Sequence, residues 1–320
     1  MRMVKLLRHK ERFNAFSSNS RVRMKNVWKH RELYLFMLPA LVALFIFCYM
    51  PMYGVVMAFQ DVKIGTPIWQ NEWVGFKHFE RFFNSSWFDI VIKNTINISL
   101  LRNVLCWPFP VILALLLHNS TNSKIRKLTQ TATYIPYLLS MVIIISILNV
   151  FCGGEAGLVN ILLKKTGHDT INFFGEPGWT YPMYVISGIW QMCGYQAVVY
   201  IGALSGVDAS LEEAAMIDGA GKFKRILHIQ LPSILPTIMT MLILDMGKVM
   251  AVSADKMLLM QTDLNLSASE VLGTYVYKTG FSSYQYGFST AIGLFQSVIN
   301  LVLLLVFNKL SKKATDISVI

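Results

Sequence analysis

Charge is scarce in this chain. Only 15% of its 320 residues are Asp, Glu, Lys or Arg, where a soluble globular domain carries about 25%. Acid is scarcer than base, with 18 Asp and Glu against 29 Lys and Arg and a net charge of +11. Too few charges are present to cover a soluble surface, which excludes an ordinary soluble enzyme and a disordered tail protein. Catalytic signatures are also missing. There is no Walker-type phosphate loop, no Gly-x-Ser-x-Gly elbow and no His-Glu-x-x-His pair, and the six histidines are scattered. The four cysteines, Cys48, Cys106, Cys152 and Cys193, form no Cys-x-x-Cys pair and sit in or beside apolar runs. They read as small buried apolar residues, neither a metal site nor a disulfide framework.

Apolar residues are abundant instead, at 54% of the chain, with a mean hydropathy of +0.48. A bilayer-spanning helix needs about 20 mostly apolar residues. Six segments qualify: 33–53, 92–117, 131–152, 181–206, 233–253 and 288–307. The expected fold class is therefore all-α, a polytopic membrane protein of six transmembrane helices. About thirty polar residues precede the first apolar run, too long an n-region for a cleaved signal, so that run reads as a retained helix. The domain layout is a basic tail at 1–32, a transmembrane domain at 33–308 and a short tail at 309–320.

The sign imbalance becomes intelligible once it is sorted by loop. Ten Lys and Arg lie in 1–32 and three in each of 118–130, 207–232 and 309–320, nineteen in all. The intervening loops hold seven: Lys63, Lys77, Arg81, Lys164, Lys165, Lys256 and Lys278. The positive-inside rule places both termini in the cytoplasm, as an even helix count requires. Sorting across a bilayer accounts for the basic residues without a nucleic acid. The outer loop 54–91 is rich in aromatics, and 76–88 reads as an interfacial amphipathic helix. A second outer loop, 254–286, carries Tyr275, Tyr277, Tyr284 and Tyr286, as an interfacial belt would.

The inner loop 208–232 is the most informative stretch. Ser210 is a candidate N-cap with Glu213 three residues on, as in a capping box. Gly219 and Gly221 break the helix that follows. Phe223–Ile229 forms a second short helix, ended by Leu231-Pro232 at the fifth span. Such a stiff, exposed helix-turn-helix is a docking element.

This stretch resembles the EAA loop of binding-protein-dependent ABC importer permeases. Their pattern is Glu-Ala-Ala, three residues, Gly, nine residues, Ile, one residue, Leu-Pro. Here it is Glu213-Ala214-Ala215, Gly219, Ile229 and Leu231-Pro232, with Asp218 also matching. The likeness covers roughly residues 30–315 and points to carbohydrate importers of the maltose type and the type I permease fold. Met246-Gly247-Lys248 and Thr274-Tyr275-Val276-Tyr277 resemble the branch that handles oligosaccharides from plant or algal polysaccharides, which are acidic in alginate or pectin.

The resemblance implies that Glu213, Ala214, Ala215, Asp218, Gly219, Phe223, Leu231 and Pro232 couple the chain to a separate ATPase subunit. It implies no cofactor in this chain, ATP and Mg belonging to that subunit. The expected partners are a second permease chain, two ATPase subunits, an extracytoplasmic binding protein, the oligosaccharide and membrane lipid. The expected place is the bacterial cytoplasmic membrane. Counting from Glu213 and Pro232, Gly188, Gln191, Met192, Tyr195, Asp245 and Lys248 fall where the maltose permease's larger subunit contacts sugar. Trp190, Gln196 and Tyr200 are further polar or aromatic positions on the fourth span. Asp245 and Lys248, at i and i+3, can also pair with each other. Asn94, Asn97, Arg102, Gln296 and Asn300 complete the intramembrane polar set. Alternatives are an ABC importer for another solute, such as glycerol phosphate, and an ATP-independent secondary carrier.

Overall fold

A computed structural model describes residues 31–315, and the chain divides into two compact units, Met1–Val56 and Met57–Ile320. The basic tail expected at 1–32 lies almost wholly outside the described residues, as do positions 316–320 of the short tail. Helix α1 (Arg31–Leu44) is followed by a π turn at Phe45–Tyr49 and a 3-10 segment, Met50–Phe59, within which the first unit ends. This rod has no buried residue in its apolar window, as suits a helix whose solvent is lipid.

Early in the second unit stands a small hairpin, β1 (Gln60–Asp61) against β2 (Glu72–Trp73). Short α2 (Lys77–Phe83) follows. The expected interfacial helix 76–88 is therefore interrupted, and Ser85 Oγ caps the next turn by accepting from Trp87 N. Its aromatics face inward as well as out. Phe82 is 1% exposed and packs edge-on against Phe88, Phe288 and Phe295.

The helices α3 (Phe88–Cys106) and α4 (Pro108–His118) run on as one rod. Then come α5 (Ser123–Leu138) and α6 (Met141–Cys152). The third expected span, 131–152, is not straight, because α5 and α6 meet at 105°. Pro136 lies in the last turn of α5, and Ser140 caps α6 by accepting from Ile143 N. The break thus has a proline and a fresh N-cap as its causes.

After α7 (Leu158–Lys165) comes α8 (Pro177–Leu204). Its 28 residues span about 42 Å, longer than a hydrocarbon core of about 30 Å. Four rods among the described residues are both long and apolar enough to cross a membrane: Arg31–Phe59, Phe88–His118, Lys222–Met246 and Tyr286–Lys313. The helix α8 has the length but not the apolarity, because it carries Gln191, Gln196 and four tyrosines. Gly194 lets it touch α5: a Cβ there would lie 2.1 Å from Thr133 O.

The remaining elements are α9 (Ala209–Ile217), α10 (Lys222–Arg225), α11 (Leu231–Met246), α12 (Ala254–Met260), α13 (Leu266–Ser269), α14 (Leu272–Tyr277) and α15 (Tyr286–Thr315). Segment 254–286, expected as an outer loop, is largely a packed insertion. Met257, Val271, Leu272 and Thr274 are fully buried in it. Polar bonds pin it to the bundle: Asn94 Nδ2 donates to Ser267 O and Glu270 O, both at 2.9 Å, and Leu272 N donates to Thr95 Oγ1. Another core joins α4, α8 and α11 at the end of the bundle that carries the basic loops, through Ala114, Ala197, Leu204, Ile234 and Ile238.

Candidate functional site: a docking loop and an intramembrane cavity

The loop 208–232 takes the shape its sequence requires. Asp208, not Ser210, is the N-cap of α9, accepting from Ser210 N at 2.9 Å. The earlier acid wins because it holds the extended position before the helix, two residues ahead of Ser210, where its side chain meets the first free N–H groups. That bond holds the Asp208 carboxyl below its usual range. At the other end Ala220 N bonds Ala215 O at 2.8 Å and Gly219 N bonds Met216 O at 3.1 Å. These two bonds define a Schellman close, with Gly219 in the left-handed position at φ +77°. The spacing from Glu-Ala-Ala to Gly is therefore one short helix plus its cap.

The second short helix, expected to end at Leu231-Pro232, does not end there. The α10 segment passes through a π turn, Ile226–Gln230, directly into α11, one rod from Lys222 to Met246. Pro232 has no N–H to give, and a widened turn absorbs the missing bond. The loop presents bare apolar side chains: Ile217 is 86% exposed and Phe223 76%. Met216 is half exposed beside them, and Glu213, Ala214 and Asp218 are also on the surface.

A charged residue that the motif does not single out anchors this loop. Glu212 Oε1 accepts from Gln230 Nε2 at 2.7 Å, and its Oε2 lies 3.5 Å from Arg225 Nη1. His118 Nε2 stands 4.0 Å away. Gln230 is completely buried and exchanges two bonds with Asn119, at 2.6 and 3.1 Å. The loop is thereby fastened to the end of α4. Sequence reading missed this network because its members lie 111 positions apart; the one local signal was an amide directly before Leu-Pro.

The second place is a cleft of about 140 Å³ between α3, α8 and α11. Arg102, Asn103, Cys106, Trp107, Gly188, Met192, Gln196, Leu242 and Asp245 line it. Of the expected path residues, Gly188, Met192 and Asp245 are brought together here. Gln191 is buried within α8. Trp190 is 43% exposed on another face, and Tyr195 stacks on Tyr137 with centroids 3.9 Å apart. Lys248 is exposed and makes no ion pair with Asp245. Lys248 N donates to Asp245 O at 3.0 Å in the turn that follows α11, while the Lys248 side chain is directed outward. Asn94, Gln296 and Asn300 serve the framework: Asn94 accepts from Tyr181 Oη, and Gln296 and Asn300 bond the Met250 backbone. Among the described residues no cluster of His, Cys, Asp or Glu could hold a metal ion.

A family model described as "Binding-protein-dependent transport system inner membrane component" matches residues 108–316. The polygalacturonan/rhamnogalacturonan transport system permease protein YteP of Bacillus subtilis (strain 168) is 36% identical over 89% of this chain and 89% of its own length. Protein LplB of the same organism is 37% identical over 89% and 90%. A solved bacterial ABC transporter involved in the import of the acidic polysaccharide alginate has a chain that superposes with a TM-score of 0.83 at 33% identity, covering 91% of this chain and 98% of that one. The alginate ABC transporter in complex with its alginate pentasaccharide-bound periplasmic protein gives 0.84 at 32% identity, with 92% and 99% covered.

Proposed function

The chain belongs to the binding-protein-dependent transport system inner membrane components, and from that premise we propose that it is the permease subunit of an ATP-driven importer for acidic oligosaccharides. A binding protein outside the membrane delivers the sugar. A second permease chain completes the path, and two ATPase subunits, which hold the ATP and Mg, drive it. The basic loops face the cytoplasm, and the chain itself performs no hydrolysis.

One observation carries this reading: the unbroken rod Lys222–Met246. One end of the rod is the docking loop, with Phe223 bare to a partner. The other end puts Leu242 and Asp245 into the cavity wall. At 1.5 Å per residue, Phe223 and Asp245 stand about 33 Å apart along it. An ATPase cleft closing on Ile217 and Phe223 pushes a lever whose far end shapes the cavity. Glu212 and Gln230 fasten α9 to the same lever and to α4, so the loop moves with the helices as a rigid body.

The test is reconstitution with the candidate ATPase, binding protein and second permease in proteoliposomes. The expected result is ATP-dependent uptake of a galacturonate trisaccharide, lost in Gly219→Pro, because proline cannot take φ +77°. Uptake that survives this substitution, together with failure of any ATPase to copurify, would contradict the reading. Uptake of glycerol phosphate but not of the sugar would move the substrate and keep the mechanism.

A further inference from the structure

Two basic side chains in the middle of this bundle, Arg102 and Lys256, form no salt bridge. Arg102 lies well inside the rod Phe88–His118 and lines the cavity. Its Nη2 donates to Asn103 Oδ1 at 3.4 Å, and among the described residues no carboxylate lies within 4 Å of it. Lys256 is 3% exposed. Its ammonium donates to Tyr184 O at 2.8 Å and stands 4.5 Å from the centre of the Tyr184 ring. It lies 3.6 Å from where a Cβ would stand on Gly188, a cavity-wall residue. It too has no carboxylate within 4 Å.

Holding cations in a low-dielectric interior without an anion is costly. A purely structural role would supply a carboxylate, as Glu270 does for Lys278 at 2.5 Å elsewhere in this chain. Asp245 is the one carboxylate lining the cavity, and it is not within ion-pairing distance of either cation. The lining thus sets one guanidinium, Arg102, against one carboxylate, Asp245, without a salt bridge between them. Next to Arg102, the Nδ2 of Asn103 is buried with no hydrogen-bond partner. A planar five-donor fork and a free amide donor side by side match the two oxygens of a carboxylate.

We infer that Arg102, with Asn103 beside it, reads the carboxylate of a uronate unit as the oligosaccharide passes the cavity, and that Asp245 sets the limit on negative charge there while accepting sugar hydroxyls. Trp107 offers an apolar ring face to the C–H side of the sugar. Lys248 has no part in this discrimination, because it lies outside the cavity. The inference rests on the importer reading above and assigns its charge selectivity to a particular cation.

The test compares uptake of a galacturonate trisaccharide with that of a neutral galactose trisaccharide in the complete reconstituted transporter. Arg102→Gln should raise the half-saturating concentration of the acidic sugar by about 10- to 100-fold, the weight of a charge-assisted pair, with a much smaller change for the neutral one. Arg102→Lys should recover part of the loss, since charge returns without the fork. Asn103→Asp places an internal carboxylate against the guanidinium. It should suppress acidic uptake while the subunits still copurify, which keeps the idea testable if Arg102→Gln fails to assemble. Lys248→Gln should move both sugars equally. Equal loss of both sugars in Arg102→Gln and Asn103→Asp would overturn the inference. So would subunit dissociation in Arg102→Gln without rescue by Lys, since Arg102 would then serve the partner chain. A wild-type transporter that moves only the neutral sugar overturns the substrate reading itself.

Discussion

The docking loop and the cavity distribute polar and apolar groups in opposite ways. In the loop, charge is satisfied and apolar surface is bare: Glu212 is held by Gln230, Arg225 and His118, while Ile217 and Phe223 stand in the open. In the cavity, charge is unsatisfied and the apolar residues around it are packed. Arg102 and Asp245 have no ion-pair partner there, and Met183 and Tyr184 lie buried in the core behind it. The contrast teaches a division of work. A lever must be internally rigid and sticky toward a partner, whereas a transit site must leave its polar groups free for a passing ligand.

Breaking the lever gives the largest expected effect. Gln230→Leu strips Glu212 and Asn119 of their shared partner at a completely buried position. Each stranded polar group costs about 1–3 kcal/mol. Uptake should fall at least tenfold, and the purified transporter should lose thermal stability in a melting assay, while Gln230→Glu should be no better because it sets two carboxylates together. Unchanged uptake in Gln230→Leu would mean that the loop is not transmitting through this network.

Next comes Gly219→Ala, which forces a side chain into the left-handed cap at about 1–2 kcal/mol. It should reduce, but not abolish, ATP-driven uptake, since space around that position is open. A result equal to that of Gly219→Pro would show that local strain, and not the broken cap, is what matters.

The cavity side sharpens through Asp245→Asn, which removes the one lining carboxylate. Neutral sugar uptake should fall about tenfold or less, from one weakened hydroxyl contact, while acidic uptake holds or improves. A selective loss of acidic uptake would reverse the roles given to Asp245 and Arg102.

The smallest effect concerns pH. The Ser210 N–H holds the Asp208 carboxyl below its usual range. Its cap therefore contributes fully above the unfolded carboxylate pKa and is lost as pH falls through the lower folded value. Coupling should weaken slightly in strong acid, read as a small drop in ATP-driven uptake, and Asp208→Asn should remove that dependence by keeping a cap that does not titrate. A wild-type response identical to that of Asp208→Asn would locate the acid sensitivity elsewhere.

The two regions also differ in how legible they were. The docking loop could be read from sequence because Glu213-Ala214-Ala215, Gly219 and Leu231-Pro232 are fixed by local rules: one short helix, a left-handed glycine cap and a proline turn. Glu212 escaped, because its partners Gln230, Asn119 and His118 come from two distant segments and only the fold unites them. The cavity was half legible. Counting along α8 found Gly188 and Met192, which line the cavity, together with Gln191, which is buried in the helix, and Tyr195, which stacks on Tyr137 instead. Lys248, which spacing set beside Asp245, is exposed in the turn after α11 and outside the cavity lining. Lys256 was counted among outer-loop cations, since nothing in 254–286 announces that Met257, Val271 and Leu272 draw the whole segment into the core. The broken third span was hidden for the opposite reason: a continuous apolar run carries no mark of a 105° bend beyond Pro136.

The most direct test of the lever is cross-linking at its exposed tip. With Ile217→Cys in an otherwise cysteine-free chain, a short bifunctional reagent should capture the ATPase subunit in the assembled transporter, and the yield should change when ATP binds. Cysteine at Lys164, on a loop assigned to the opposite side, should capture none. If position 217 captures no ATPase while uptake proceeds, the account of this chain as an ATP-coupled permease is contradicted.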